Sequence, residues 1–267
     1  MTQQNIATGF QKADTAEIDV LVNFLEMANN FPSVRDGFEE QLKLLDIQAG
    51  YTVLDLGSGI GDRAWEMAKM VGLSGRVHGI DLSETMVRIS KERYESSGLP
   101  LHFKVADVME LPFEDASFDR MRTERVLLYV HNLPRAFREI YRVLKPKGKF
   151  LAFDIDWDAL TIAHPNKALT RKIVGFISDS FPNGRIGAYL PRYFKDFGFK
   201  DIKVKPFGYL SEMAGTKVIC GGILSTGVEN GVFTSSEIAN WWTEFEQENE
   251  KGNFFVSYNG FIVIGTK

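Results

Sequence analysis

The stretch Val53-Leu54-Asp55-Leu56-Gly57-Ser58-Gly59-Ile60-Gly61-Asp62 carries the densest chemical signal in the chain. An apolar run closing on three spaced glycines and a helix start builds a crevice at the carboxyl edge of a parallel sheet. Glycine at all three positions costs stability unless backbone must approach something closely. The charges narrow the ligand. A dinucleotide site leaves the helix N-terminus bare for a pyrophosphate, but Asp62 stands where the third glycine of that fingerprint belongs. A carboxylate there occupies the positive end of the helix and repels phosphate. With Asp55 adding a second negative charge, the loop suits a cationic ligand without phosphate and disfavours NAD.

Two further acids end strand-like runs. Asp81 closes Gly79-Ile80-Asp81, roughly 20 residues past the loop, where an acid accepts from both ribose hydroxyls. The plainer alternative is a solvent-facing acid that caps the next helix and carries little of the fold. Asp107, in Val105-Ala106-Asp107-Val108-Met109, can accept from an adenine amino group while the Val108 N–H donates to a ring nitrogen. Leu82, Met86, Val108 and Met109 supply apolar walls for the base.

The elements that must hold these residues alternate. Tyr51–Leu56, Arg76–Asp81, Leu101–Asp107 and Lys149–Ile155 read as strands, with helices over Asp62–Val71, after the N-cap Ser83, and around Phe137-Ile140-Tyr141-Leu144. Phe118–Thr123 reads as a poor fourth strand because Arg120 and Arg122 interrupt it; Arg122 is either a buried ion pair or a shaper of the site. The pattern predicts a doubly wound, Rossmann-like α/β sheet, mostly parallel with an antiparallel last strand, preceded by N-terminal helices. Pro165–Phe181 and Leu190–Phe197 read as helices, Asp201–Phe207 as a strand, and Ser211–Glu250 as a helical lid insertion. Phe254–Tyr258 and Phe261–Ile264 finish the sheet.

Composition agrees with one soluble domain. Among 267 residues, 44% are hydrophobic and 25% charged, which excludes disorder and coiled coil. Acids outnumber bases 35 to 31, so nucleic acid is not an expected partner. One cysteine points to a reducing compartment, and the opening Met-Thr-Gln-Gln-Asn-Ile lacks the regions of a signal peptide, so a cytoplasmic location is expected. No apolar run reaches the ~20 residues of a membrane span. Four histidines without paired spacing offer no metal site.

The stretches VLDLGSGIG, VHGIDLS, VADVMELPFEDASFD and REIYRVLKPKGKFLAFD together resemble class I S-adenosylmethionine-dependent methyltransferases, close to the small-molecule group like the ubiquinone and menaquinone biosynthesis enzymes. The resemblance covers about Tyr51 to Asp154, the expected cofactor-binding core, with 1–50 a helical segment and 155–267 the acceptor side. It implies that Gly57 and Gly59 contact the cofactor's amino acid part, Asp81 the ribose, and Asp107 with Val108 the adenine. Ser58, Leu82, Met86 and Glu124 join that set, and Arg35 in the N-terminal helices is the match for an arginine on the cofactor carboxylate. The stretch Arg120-Met121-Arg122-Thr123-Glu124 departs from the apolar run usual in the family.

Methyl transfer from a sulfonium is an in-line displacement that rewards alignment, and a general base is needed only when the acceptor must lose a proton. Candidates beyond the fourth and fifth strands are Tyr129 and His131, then Asp154, Asp156, Trp157 and His164, with Tyr129, Asp156 and His164 taken as catalytic candidates. The cluster Trp241, Trp242, Phe245, Phe254 and Phe255 is expected to pack rather than to line a pocket. The expected function is methyl transfer to a small, largely apolar acceptor. The alternatives are a non-catalytic cofactor-binding partner or sensor, and an NAD-linked oxidoreductase that Asp62 weakens.

Overall fold

A computed structural model describes residues 9, 10, 14 and 18–267; the polar opening residues 1–6 lie outside the described residues. Helices Ile18–Asn30 (α1) and Pro32–Leu45 (α2) precede the sheet. Strands Thr52–Leu56 (β1), Arg76–Asp81 (β2), Leu101–Val105 (β3), Phe118–Glu124 (β4) and Leu144–Ile155 (β5) pair in parallel in the order β3-β2-β1-β4-β5. Between them run Asp62–Val71 (α3), Glu84–Tyr94 (α4) and Leu133–Val143 (α5). β1 is a nearly continuous apolar run because helices cover both faces of a parallel sheet.

The chain continues through a two-residue strand Thr161–Ile162 (β6), Lys167–Asp179 (α6), Ile186–Asp196 (α7) and Lys200–Leu210 (β7). Then come Met213–Glu229 (α8), Ser235–Glu250 (α9) and Val256–Thr266 (β8). β8 runs antiparallel to β5 along one side and to β7 along the other, so the last strand closes the sheet as expected. The two apolar stretches read at the end of the sequence are one strand. The insertion between β7 and β8 is two helices rather than one, parted at Gly231, whose φ of 70° ends α8, while Thr234 and Glu237 form a capping box that starts α9. Among the described residues no helix is long and apolar enough to cross a membrane.

β4 forms despite its arginines because both find partners. Arg120 Nε donates to the Leu45 carbonyl, and Arg122, 2% exposed, lies 2.8 Å from Asp55. A buried guanidinium is tolerated when it is paired and hydrogen-bonded. Ser83 caps α4 as expected, its Oγ accepting from the Met86 N–H at 3.1 Å. Trp241, Trp242, Phe245 and Phe254 pack into one aromatic cluster, and Phe255 is exposed.

Candidate cofactor and acceptor cavity

A cavity of about 1070 Å³ opens where β1, β2, β4 and β5 end. Single small-molecule sites occupy roughly 300–1,000 Å³, so the space admits more than one small ligand.

One end is the glycine loop. Gly57, Gly59 and Gly61 take φ values of 70°, 53° and 89°, the left-handed region that favours glycine. Space forbids side chains as well: a Cβ on Gly57 falls 2.2 Å from Val126, and one on Gly61 falls 2.8 Å from Phe103. The Ser58 N–H donates to the Ile80 carbonyl at 2.8 Å, tying the loop to β2. Asp81 ties it further. Its Oδ2 accepts from the Gly59 N–H at 2.9 Å and its Oδ1 from the Ser83 N–H at 3.0 Å. The expectation of a solvent-facing acid that carries little of the fold is therefore corrected: burial pushes the Asp81 carboxyl up, and it joins the loop to the start of α4.

Asp107 Oδ1 accepts from the Met109 N–H at 2.8 Å, which fixes its carboxylate against the wall. Val108 and Met86 are buried there, while Leu82 is 67% exposed at the rim. Asp62 opens α3 as the first helical residue; its carboxylate accepts from Tyr94 Oη at 2.6 Å and from Asn29 Nδ2 at 3.0 Å. Asp14 accepts from Ser83 Oγ and from the Glu84 and Thr85 N–H groups, so an N-terminal residue helps to hold α4.

The floor is charged. Arg122 donates to Asp55 at 2.8 Å, to Gln41 Oε1 at 3.0 Å and to Glu124 at 2.5 Å. It is thus both a buried ion pair and part of the cavity wall. Burial works against ionised Glu124, but Arg125, Arg122 and Arg63 outweigh it and hold the carboxyl below its ordinary range. At Asp55 burial prevails over Arg122 and pushes the carboxyl up.

Several expected residues lie elsewhere. Arg35 is exposed on the outer face of α2, because Val34, Phe38, Gln41 and Leu45 take the inner face. The arginine that reaches the cavity near α2 is Arg63, stacked 4.3 Å from the Phe38 ring centroid. Asp156 turns away and accepts from the Asp158 N–H at 3.1 Å. His164 is buried against Trp241, with Nε2 2.9 Å from the Trp241 carbonyl and Nδ1 accepting from the Asn166 N–H. Neither lines the cavity, so both are corrected from catalytic candidates to structural residues. Tyr129 and His131 do line it. Burial, and Asp154 nearby, push the Tyr129 phenol up, so it stays protonated. Asp154 lies buried, accepting from the Leu127 N–H at 3.2 Å, and burial pushes its carboxyl well up.

The sequence reading missed Arg63, Arg125 and Tyr209 as cavity residues. Arg63 follows Asp62 in the first turn after the glycine loop and was findable there. Arg125 and Tyr209 carry no local signal.

Residues 47–195 match the family model described as a methyltransferase domain. An uncharacterised 37.1 kDa protein of a Streptomyces fradiae transposon is 37% identical over 187 residues, 69% of this chain and 54% of that protein. The ubiquinone/menaquinone biosynthesis C-methyltransferase of Bordetella avium is 37% identical over 118 residues, 44% of this chain and 46% of the enzyme. The chain thus spans about half the length of these two relatives. A solved structure of Haemonchus contortus phosphoethanolamine N-methyltransferase 2 with S-adenosyl-L-methionine shares the fold, with a TM-score of 0.61 at 21% identity, over 98% of this chain and 60% of that one.

Proposed function

The chain belongs to the methyltransferase-domain family, the class I S-adenosylmethionine-dependent methyltransferases, and from that premise we propose that it transfers a methyl group from S-adenosylmethionine to a small, largely apolar acceptor. One observation carries the reading: a single cavity is lined both by the glycine loop, Asp81 and Asp107 and by the apolar and aromatic residues Leu128, Tyr129 and Trp157.

The residues fit the cofactor. Buried Ser58 Oγ, Asp55 Oδ2 and Glu124 Oε1 have no hydrogen-bond partner among the described residues, and all three residues line the glycine-loop side and floor. The loop is also a cradle that Cβ atoms would fill. In this reading Asp81 receives the ribose, Asp107 and the Val108 N–H the adenine, and Met86 and Leu82 its faces. Asp55 and Glu124 attract the ammonium end, and Arg63 replaces Arg35 as the partner of the cofactor carboxylate. Residues 51–154 hold the cofactor, while 1–50 and 155–267, with the residues just after β4, shape the acceptor end.

Once bound, the sulfonium supplies an electrophilic methyl carbon. The chain's own work is alignment and exclusion of water, and such positioning reaches effective molarities of about 10⁵–10⁸ M. Tyr129 is held protonated by burial, and Asp156 and His164 do not line the cavity, so none of these three serves as a general base in this reading.

Titration calorimetry with S-adenosylmethionine, S-adenosylhomocysteine and NAD tests the reading. The first two are expected to bind and NAD not. Gly57→Ala, whose methyl enters Val126, is expected to lose that binding. NAD binding without S-adenosylmethionine binding overturns the reading; cofactor binding without transfer to any of a panel of apolar acceptors points to a sensor.

A further inference from the structure

Five charged side chains belong to the cavity floor: Asp55, Arg63, Arg122, Glu124 and Arg125. Arg122 answers both carboxylates from one guanidinium. Arg63 and Arg125 remain, and the cofactor has one carboxylate to offer, which falls to Arg63 in the reading above.

Arg125 is left over. It makes a 3.3 Å ion contact with Glu124, while its buried Nε–H donates to no atom among the described residues. A buried donor without a partner is destabilising, because it loses its water without gaining a bond. The backbone is strained at the same residue, since Arg125 has φ 57°, the left-handed region that crowds the Cβ of an L-residue. Strain of this kind, held at a cavity wall, marks places where a side chain must be delivered to a ligand.

Tyr209, the penultimate residue of β7, completes the feature. It is 7% exposed, lines the same cavity, and its buried hydroxyl likewise has no partner among the described residues. Arg125 and the Tyr209 phenol lie within electrostatic reach of each other. Beyond that Glu124 contact, no other acid of the wall pairs with Arg125 among the described residues. Asp81 and Asp107 belong to the glycine-loop end, Asp62 is held by Tyr94 and Asn29, and Glu212 is exposed at the rim. Asp154, which also acts on Arg125, has its charged form disfavoured by burial.

We propose that the methyl acceptor is an apolar molecule bearing an anionic oxygen group, of which a carboxylate is the simplest, and that Arg125 with Tyr209 binds that group. The inference rests on the methyltransferase reading above and names its substrate class. A guanidinium matches an anionic oxygen group through charge-assisted hydrogen bonds, and Tyr209 adds a neutral donor. An anion here also offsets the positive charge that the cofactor brings into a low-dielectric cavity.

The test compares 2-naphthoate with its neutral isostere 2-naphthamide by calorimetry, with the chain alone and with S-adenosylhomocysteine present. Naphthoate is expected to bind about tenfold tighter or more, one decade corresponding to ~1.4 kcal/mol. Arg125→Gly, which suits the left-handed backbone and so spares the fold, is expected to erase the preference. Tyr209→Phe is expected to reduce it by a smaller factor. Equal binding of acid and amide, binding of neither at millimolar concentration, or a preference that survives Arg125→Gly overturns the proposal. Failure of S-adenosylhomocysteine to bind is a separate result that strikes the methyltransferase reading, because the acid–amide comparison is also made without it.

Discussion

At the glycine-loop end of the cavity the ligand surface is backbone and short acids from consecutive strand ends, whereas at the acceptor end it is side chains from elements far apart in sequence. Gly57, Gly59, Asp81 and Asp107 sit where β1, β2 and β3 stop, and each acid is locked by N–H donors within or beside its own turn. Tyr129, Trp157 and Tyr209 come instead from the residues after β4 and β5, and from β7. The first end is built from short motifs at the ends of neighbouring strands, tied to one another by the Gly59–Asp81 and Ser58–Ile80 hydrogen bonds. The second exists only once the sheet is complete, which is how one fold keeps a cofactor while acceptors change.

The seam between the two ends should give the largest effect. Arg122 joins Asp55 on β1 to Glu124 on β4, and all three are buried. Arg122→Met strands Asp55 without its cation and leaves Glu124 to Arg125, a loss of about 3–5 kcal/mol for breaking a buried pair. A urea midpoint that barely moves would show that the two ends are independent pieces and not one floor.

Asp81→Ala comes next and probes the first end alone. Loss of even one charge-assisted bond to the ribose, roughly 1.5–3 kcal/mol, weakens S-adenosylhomocysteine binding on the order of tenfold to a hundredfold. Stability should fall too, because the Gly59 and Ser83 N–H groups lose their acceptor. Unchanged affinity in calorimetry leaves Asp81 a structural tie and removes the ribose assignment.

Legibility in the sequence divided along the same line. The glycine loop, Asp81, Asp107 and the alternation of strands and helices could be read because each depends on a few adjacent residues. Arg35 failed by phase: one residue past buried Val34, it is turned about 100° away from the inner stripe of α2. Asp156 failed the same way, since Ile155 and Trp157 line the cavity and the residue between them does not. Arg125 and Tyr209 could not be found at all. Their meeting depends on β7 pairing with β8, and on β8 pairing with β5, across more than eighty residues of chain.

A smaller effect, set by pH, belongs to Asp154 behind the acceptor end. Its carboxyl is raised in the folded chain because it is buried. The sign follows: the stability it contributes is fully present below its unfolded value near 3.9 and is lost as pH rises through the folded value. Asp154→Asn keeps a neutral side chain of the same shape and is expected to flatten that decline. Parallel urea midpoints against pH check it, and identical slopes for the two proteins would mean that Asp154 is ionised in the fold.

The smallest effect is expected at Asp156, where a strand-end acid looks catalytic in sequence and is not placed to be. Its carboxylate accepts from the Asp158 N–H and caps the short turn Trp157–Ala159. Asp156→Ala removes one side-chain cap, for which a cost of about 1 kcal/mol is typical. S-adenosylhomocysteine affinity and the naphthoate preference should both stay where they are, because Asp156 touches neither the glycine loop nor the acceptor wall. Trp157 gives the contrast needed to interpret this. One residue further on, it does line the cavity, stacked on Phe181 with ring centroids 4.7 Å apart. Trp157→Ala should therefore weaken naphthoate and naphthamide alike, with the cofactor spared. If Asp156→Ala instead reduced ligand binding as Trp157→Ala does, the alternation that sorts cavity residues from structural ones after β5 would be wrong, and the acceptor end would have to be redrawn with Asp156 inside it.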